Sequence, residues 1–163
     1  MESIVQAKRV LEIFKEMSQI PRESGNEKGI SDYIVNFAKN LGLEVHQDDQ
    51  YNVVIKKPAS PGYENRPSII LQGHIDMVCV RDHDSNHDFT KDPIANIIEG
   101  EWMHADHTTL GADNGMGGAM MLAILEDDSQ QHGPMQLLFT TNEETGMDGA
   151  FAIKEGQVSG DYL

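Results

Sequence analysis

Two short apolar runs, Ser68–Gln72 around Ile69, Ile70 and Leu71 and Met135–Thr141, bracket the helix-forming stretch Met116–Glu126. Uninterrupted apolar runs of this length read as strands buried on both faces, and a strand, helix, strand order calls for a crossover that lays the strands parallel. The expected fold class is therefore α/β, with a mixed, largely parallel sheet flanked by helices. At 163 residues and 39% hydrophobic, the chain suffices for one domain with a real core and is too short for two ordinary ones.

The flanking segments fit this frame. Ile4, Val5, Val10, Leu11, Ile13, Phe14 and Met17 recur at helical spacing until Pro21, which predicts a first amphipathic helix. Ser24 and Glu27 form a capping box ahead of a second helix, whose apolar positions Ile30, Ile34, Phe37, Ala38 and Leu41 end at Gly42. Leu43–His46 and Asn52–Lys56 read as two short strands around an Asp-Asp-Gln turn. Ile94–Ile98 and Glu101–Met103 read as a hairpin around Gly100, with Trp102 as its packing residue. Met116, Met120 and Met121 are expected to be core contacts of the central helix.

Three acidic clusters fall next to these elements: His74-Ile75-Asp76 after the first apolar run, Gly111-Ala112-Asp113-Asn114-Gly115 at the start of the helix, and Glu143-Glu144 after the second run. If the strands are parallel neighbours, all five side chains converge at the carboxyl edge of the sheet, where open α/β sheets bind ligands. Histidine with carboxylates suits a hard or borderline divalent ion, and the absence of cysteine there argues against a structural zinc finger. Residues two apart in an extended segment point the same way, so Asp76 can accept the hydrogen bond from the His74 nitrogen that is not on the metal. Adjacent residues on an extended chain diverge, so of Glu143 and Glu144 one can bind metal while the other faces the substrate water.

Other classes are disfavoured. A formal net charge of −15, from 27 acidic and 12 basic residues, opposes binding to nucleic acid or to an anionic membrane surface. Cys79 is the single cysteine, so no internal disulfide forms and a reducing, cytoplasmic setting is expected. It has no evident histidine partner and is expected to pack as a small hydrophobe. Met1–Met17 mixes Glu, Lys and Arg with apolar residues, so no signal peptide is expected, and no apolar run in the sequence is long enough to span a bilayer. The glycines at 111, 115, 117 and 118 do not form a dinucleotide-binding G-x-G-x-x-G. His83, His87, His104 and His107 fit no common metal template and read as surface-loop residues.

His74-Ile75-Asp76-Met77-Val78, Thr108–Gly115 and Glu143–Ala150 resemble the metal motifs of the aminoacylase/carboxypeptidase clan of dizinc peptidases, and within it the aminoacyl-histidine dipeptidases, a cytosolic group that cleaves beta-alanyl-histidine. His87–Pro93 and Gly133-Pro134 extend the resemblance over nearly the whole chain. It implies a zinc-dependent exopeptidase-like catalytic domain binding two divalent ions, zinc first, with cobalt or manganese as alternatives. In that reading His74 binds one metal, Asp113 bridges both, Glu144 binds the other, Glu143 is the general base and Asp76 supports His74. It further implies a cis peptide at Asp113-Asn114, a dipeptide substrate hydrolysed by a water held between the metals, and a homodimer formed through a lid domain. The family also uses an aspartate from the next strand and a histidine far downstream; Asp161 lies too early to serve. Residues 1–163 are accordingly expected to be the N-terminal part of the catalytic domain, without the lid and inactive alone. The alternatives are a related amidase (tripeptidase, aminoacylase or deacetylase) or a noncatalytic metal- or peptide-binding module.

Overall fold

Ile13, Phe14 and Met17 recur at helical spacing and are fully buried, so the first segment forms helix α1 (Glu2–Ser18) with that stripe against the core. The computed structural model describes residues 2–163, with side chains from residue 7 onward; the expected apolar positions Ile4 and Val5 lie outside the described side chains. Helix α2 (Lys28–Asn40) buries Ile30, Ile34 and Ala38 and stops where Gly42 turns left-handed at φ 72°. The expected capping box does not form. Glu27 takes the N-cap position without a side-chain cap, because Ser24 and Glu27 both reach into the site described below.

The main sheet contains β1 (Glu44–Gln47), β2 (Val53–Lys57), β3 (Ile69–His74) and β6 (Met135–Thr140) in the order β1-β2-β6-β3. It is mixed and flanked by helices, but the expectation of a largely parallel sheet needs correction. The pairs β1–β2 and β2–β6 are antiparallel, and only β3–β6 is parallel. The reason is connectivity: β1 and β2 are joined by a tight turn, which permits only antiparallel pairing, whereas β3 and β6 are joined across a helix. A parallel bridge between Ile69 and Tyr162 lies on the other side of β3.

Helix α3 (Ala112–Glu126) makes that crossover and packs on α1, with the Arg9 guanidinium bonded to the Glu126 carboxylate. Gly118, Ala119, Met121, Leu122 and Leu125 form its buried face. Met116 packs partly against the core, but Met120 is 50% exposed, contrary to expectation, because its neighbours occupy the inward face. Lys57 closes the far end of α3: its buried ammonium donates to the carbonyls of Ile124, Leu125 and Asp127 at 2.9–3.0 Å.

A separate hairpin, β4 (Asn96–Glu99) and β5 (Trp102–Ala105), turns at Gly100 as expected. Trp102 does not pack it; it is 79% exposed opposite Glu99, because alternation sends Met103 and Ala105 inward instead. Two short helices, α4 (Glu143–Gly146) and α5 (Asp148–Ala152), follow β6.

Candidate metal centre

Strands β3 and β6 run parallel with His74 opposite Thr140, so the residues that leave the two strands emerge side by side. That register brings His74-Ile75-Asp76 and Glu143-Glu144 to one edge. The third cluster arrives from α3, whose first residues are not helical: Asp113 is extended at φ −86° and ψ 114°, and its peptide bond to Asn114 is cis. Asp113 then points outward, 87% exposed, with Oδ1 3.1 Å from His74 Nε2.

One donor atom each from His74, Asp113 and Glu144 lies within 4.8 Å of the others, the sole such group of three or more among the described residues. One imidazole nitrogen with two carboxylates fits a borderline or hard divalent ion and lacks the thiolates of a closed structural zinc site. Glu143 stands beside this set, its Oε2 3.8 Å from His74 Nε2. Asp76 lies behind it, fully buried, with Oδ1 3.3 Å from His74 Nδ1. His74 thus presents Nε2 to the carboxylates, and Nδ1 is turned toward Asp76, whose Oδ1 and backbone carbonyl both lie within reach.

The structure corrects the geometry assumed for the glutamate pair. The two residues open the turn of α4 rather than an extended segment, so they diverge because a helix rotates roughly 100° per residue. The turn is entered through Asn142 in a left-handed conformation, which asparagine tolerates better than most residues. Four consecutive amides there donate to side chains from three other segments. Thr141 donates to Asn52 Oδ1 at 3.1 Å, Asn142 to Glu27 Oε1 at 3.0 Å, and Glu143 and Glu144 to Asp76 Oδ1 and Oδ2 at 3.1 Å each. Asp76 therefore holds the histidine with one oxygen and the glutamate turn with both.

Electrostatics follow from this wiring. Burial pushes the Asp76 carboxyl up, but the hydrogen bonds from His74, Ser24 and the two glutamate amides outweigh it and hold it at about 2. Burial favours neutral His74, yet the Asp76 and Asp113 carboxylates, with the charge of Glu143, raise it to about 9. Cys79 takes no part: burial lifts its thiol to about 11, and it packs partly buried beside Met77, Ile94 and Ala105. Exposed His83 and His107 pair with Asp84 and Asp82. Asp161 accepts from the Ser68 amide and hydroxyl at the opposite end of β3, about 20 Å of strand rise from His74.

Residues 70–162, more than half of the chain and including all five site residues, match Peptidase family M20/M25/M40. The chain belongs to this family. It is 47% identical over 152 residues to the cytosol non-specific dipeptidase of Escherichia coli (strain K12), covering 93% of this chain and 31% of that protein. The solved aminoacylhistidine dipeptidase from Vibrio alginolyticus superposes with a TM-score of 0.91 at 46% identity, over 94% of this chain and 31% of the other. A tripeptidase from Staphylococcus aureus superposes with a TM-score of 0.78 at 27% identity, over 94% of this chain and 41% of the other. The chain thus spans about a third of the length of the first two of these M20/M25/M40 relatives.

Sequence reading missed Ser24, Glu27 and Asn52 as parts of this M20/M25/M40 site. Ser24 and Glu27 carried a local capping signal, and nothing local to Asn52 points to a turn 89 residues downstream. Ser24 Oγ donates to Asp76 Oδ2 at 2.8 Å, a bond to a buried charge. Ser24→Ala is expected to cost about 1.5–3 kcal/mol of stability, measured by urea unfolding. A loss below about 0.5 kcal/mol, the usual scale of an inconsequential surface change, would mean that this bond does not hold Asp76.

Proposed function

We propose that the protein carrying this chain is a metal-dependent dipeptidase acting on Xaa-His dipeptides such as beta-alanyl-histidine, in the cytoplasm. The observation that carries this reading is the convergence of His74, Asp113 and Glu144 within 4.8 Å, with Glu143 adjacent and outside the set. The dipeptidase names of relatives at 46 and 47% identity support the substrate class. His74, Asp113 and Glu144 would hold the metal, Asp113 with its exposed carboxylate shared between two ions, zinc first and cobalt or manganese as alternatives. When bound, such ions polarise a scissile carbonyl and acidify water.

The chain's own residues then have separate tasks. Glu143 takes the proton of the attacking water and returns it to the leaving amine. Asp76 holds His74 in one tautomer and fixes the turn that carries both glutamates. A cleft of about 410 Å³ reaches His74 and Glu143, with Gln72, Leu138, Met147 and Leu163 also in its wall, and in this reading a peptide would lie along it next to the base.

The test is hydrolysis by the complete protein of a panel containing beta-alanyl-histidine, other dipeptides and tripeptides, with and without chelator. Dipeptide turnover that is lost with chelator and restored by zinc, cobalt or manganese is expected. Turnover of tripeptides alone would favour a related amidase. The 163-residue chain by itself is expected to be inactive, because the one group of three donors among the described residues cannot hold two ions. Substantial metal-stimulated turnover by the isolated chain would contradict that.

A further inference from the structure

The loop between α1 and α2 contains the largest fully buried side chain among the described residues, Arg22, which is 2% exposed. An arginine so deep ordinarily meets a carboxylate, since an unpaired buried charge is costly. Here every hydrogen bond goes to backbone. Nη1 donates to the carbonyl of Ile75 at 3.2 Å and, more weakly, to that of Asp76 at 3.5 Å; Nη2 donates to the carbonyl of Gly111 at 2.7 Å. Ile75 and Asp76 directly follow His74, and Gly111 lies two residues before Asp113. The guanidinium therefore ties the segment bearing the histidine to the segment bearing the shared aspartate, from beneath the donor set.

Independent features fit that arrangement. The Arg22 carbonyl accepts from the Met77 amide at 3.2 Å, and Glu23 bridges to Met77, so the loop backbone is stitched to the segment that its side chain supports. Space for the guanidinium is provided by glycines: a Cβ on Gly111 would lie 2.5 Å from Nη2, and one on Gly115 would lie 2.7 Å from it. Both glycines flank Asp113. The site above carries several carboxylates, and a cation fixed beneath Asp76 offsets part of their mutual repulsion. A lysine would retain charge but lose the planar two-pronged reach.

We propose that Arg22 is a positioning residue of the metal centre, pinning the His74–Asp76 segment to the Asp113 turn so that their donor atoms stand at binding distance before metal arrives. This rests on the metallopeptidase reading above. The test uses the complete protein with Arg22→Lys and Arg22→Met. Arg22→Lys keeps charge and bulk, and so tests the pin even if Arg22→Met does not fold. Each variant is loaded with Co²⁺, and its visible absorption spectrum, Co²⁺ affinity, kcat and KM are recorded, with melting temperature measured in chelator.

Arg22→Lys is expected to alter the Co²⁺ spectrum and to lower metal affinity and kcat each by about 10- to 100-fold, the usual effect of losing an outer-shell partner, with KM changed less than about twofold. A wild-type Co²⁺ spectrum and kcat in that variant, with or without a lower melting temperature, would overturn the pin and leave Arg22 a fold residue. Failure of the unsubstituted protein to bind Co²⁺ or to hydrolyse dipeptides would overturn the metallopeptidase reading itself, and the pin with it. The two failures are thereby distinguishable.

Discussion

Glu143→Gln in the complete protein is expected to lower kcat for dipeptide hydrolysis by about 10²- to 10⁴-fold, the usual contribution of a positioned proton-transfer group, while bound metal stays at the unsubstituted level. The separation follows from where Glu143 is held. Its amide donates to Asp76 and its carboxylate stands 3.8 Å from His74 Nε2, outside the three-donor set. Glutamine preserves the amide bond and the side-chain shape, so the α4 turn and its Asp76 anchor remain. It cannot take up a proton near neutral pH. Glu144→Gln should behave differently, losing metal together with turnover because Glu144 belongs to the donor set. Steady-state kinetics and elemental analysis on both variants check this, and metal loss in Glu143→Gln equal to its loss of turnover would show the two assignments to be reversed.

The contrast between the two glutamates also marks what the sequence could reveal. Residue types and their placement after apolar runs pointed to the convergence of His74, Asp76, Asp113, Glu143 and Glu144 at one sheet edge, because a parallel β3–β6 pair leaves little freedom in where the two exits emerge; which glutamate joins His74 and Asp113 came from the family resemblance alone. The crossover helix, the Gly100 hairpin and the first two helices were legible from periodicity and turn residues. The parallel β3–β6 pair was legible from the crossover, but the antiparallel direction of β2 beside β6 was not, because an apolar run such as Met135–Thr140 reads the same whatever the direction of its second neighbour. Trp102 and Met120 misled for a related reason: one step of rotation or alternation decides which side chain faces the core. Ser24 and Glu27 show the deeper limit. Their spacing is a sound local capping signal, yet buried amides and a buried carboxylate elsewhere offered them better partners. Arg22 carried no local signal, since its acceptors are carbonyls 53, 54 and 89 positions away.

Lowering the pH from about 9 to about 6 is expected to weaken divalent-metal binding at His74 about 10³-fold in the complete protein, a power of ten per unit once the imidazole is protonated. Without metal, the Asp76 and Asp113 carboxylates raise His74 from its ordinary 6.5 to about 9 against the opposing effect of burial. The sign follows directly. A folded-state value above the unfolded one means that the protonated imidazole stabilises the metal-free fold fully below about pH 6.5, and that this contribution is lost as the pH rises through about 9. Proton and metal therefore compete for the same nitrogen, and metal uptake at pH 7 should expel close to one proton. Asp76, held at about 2, stays ionised throughout this window and does not titrate against the metal. Competition with a chromophoric chelator at several pH values, with calorimetry in buffers of different ionisation enthalpy, reads both quantities. Asp76→Asn supplies the control: with the neighbouring charge removed, His74 should return toward its ordinary range, and binding should become nearly flat above about pH 7. An unsubstituted protein whose affinity does not change between pH 6 and 9 would mean that His74 is neutral before metal arrives, and that the Asp76 pairing orients the ring without charging it.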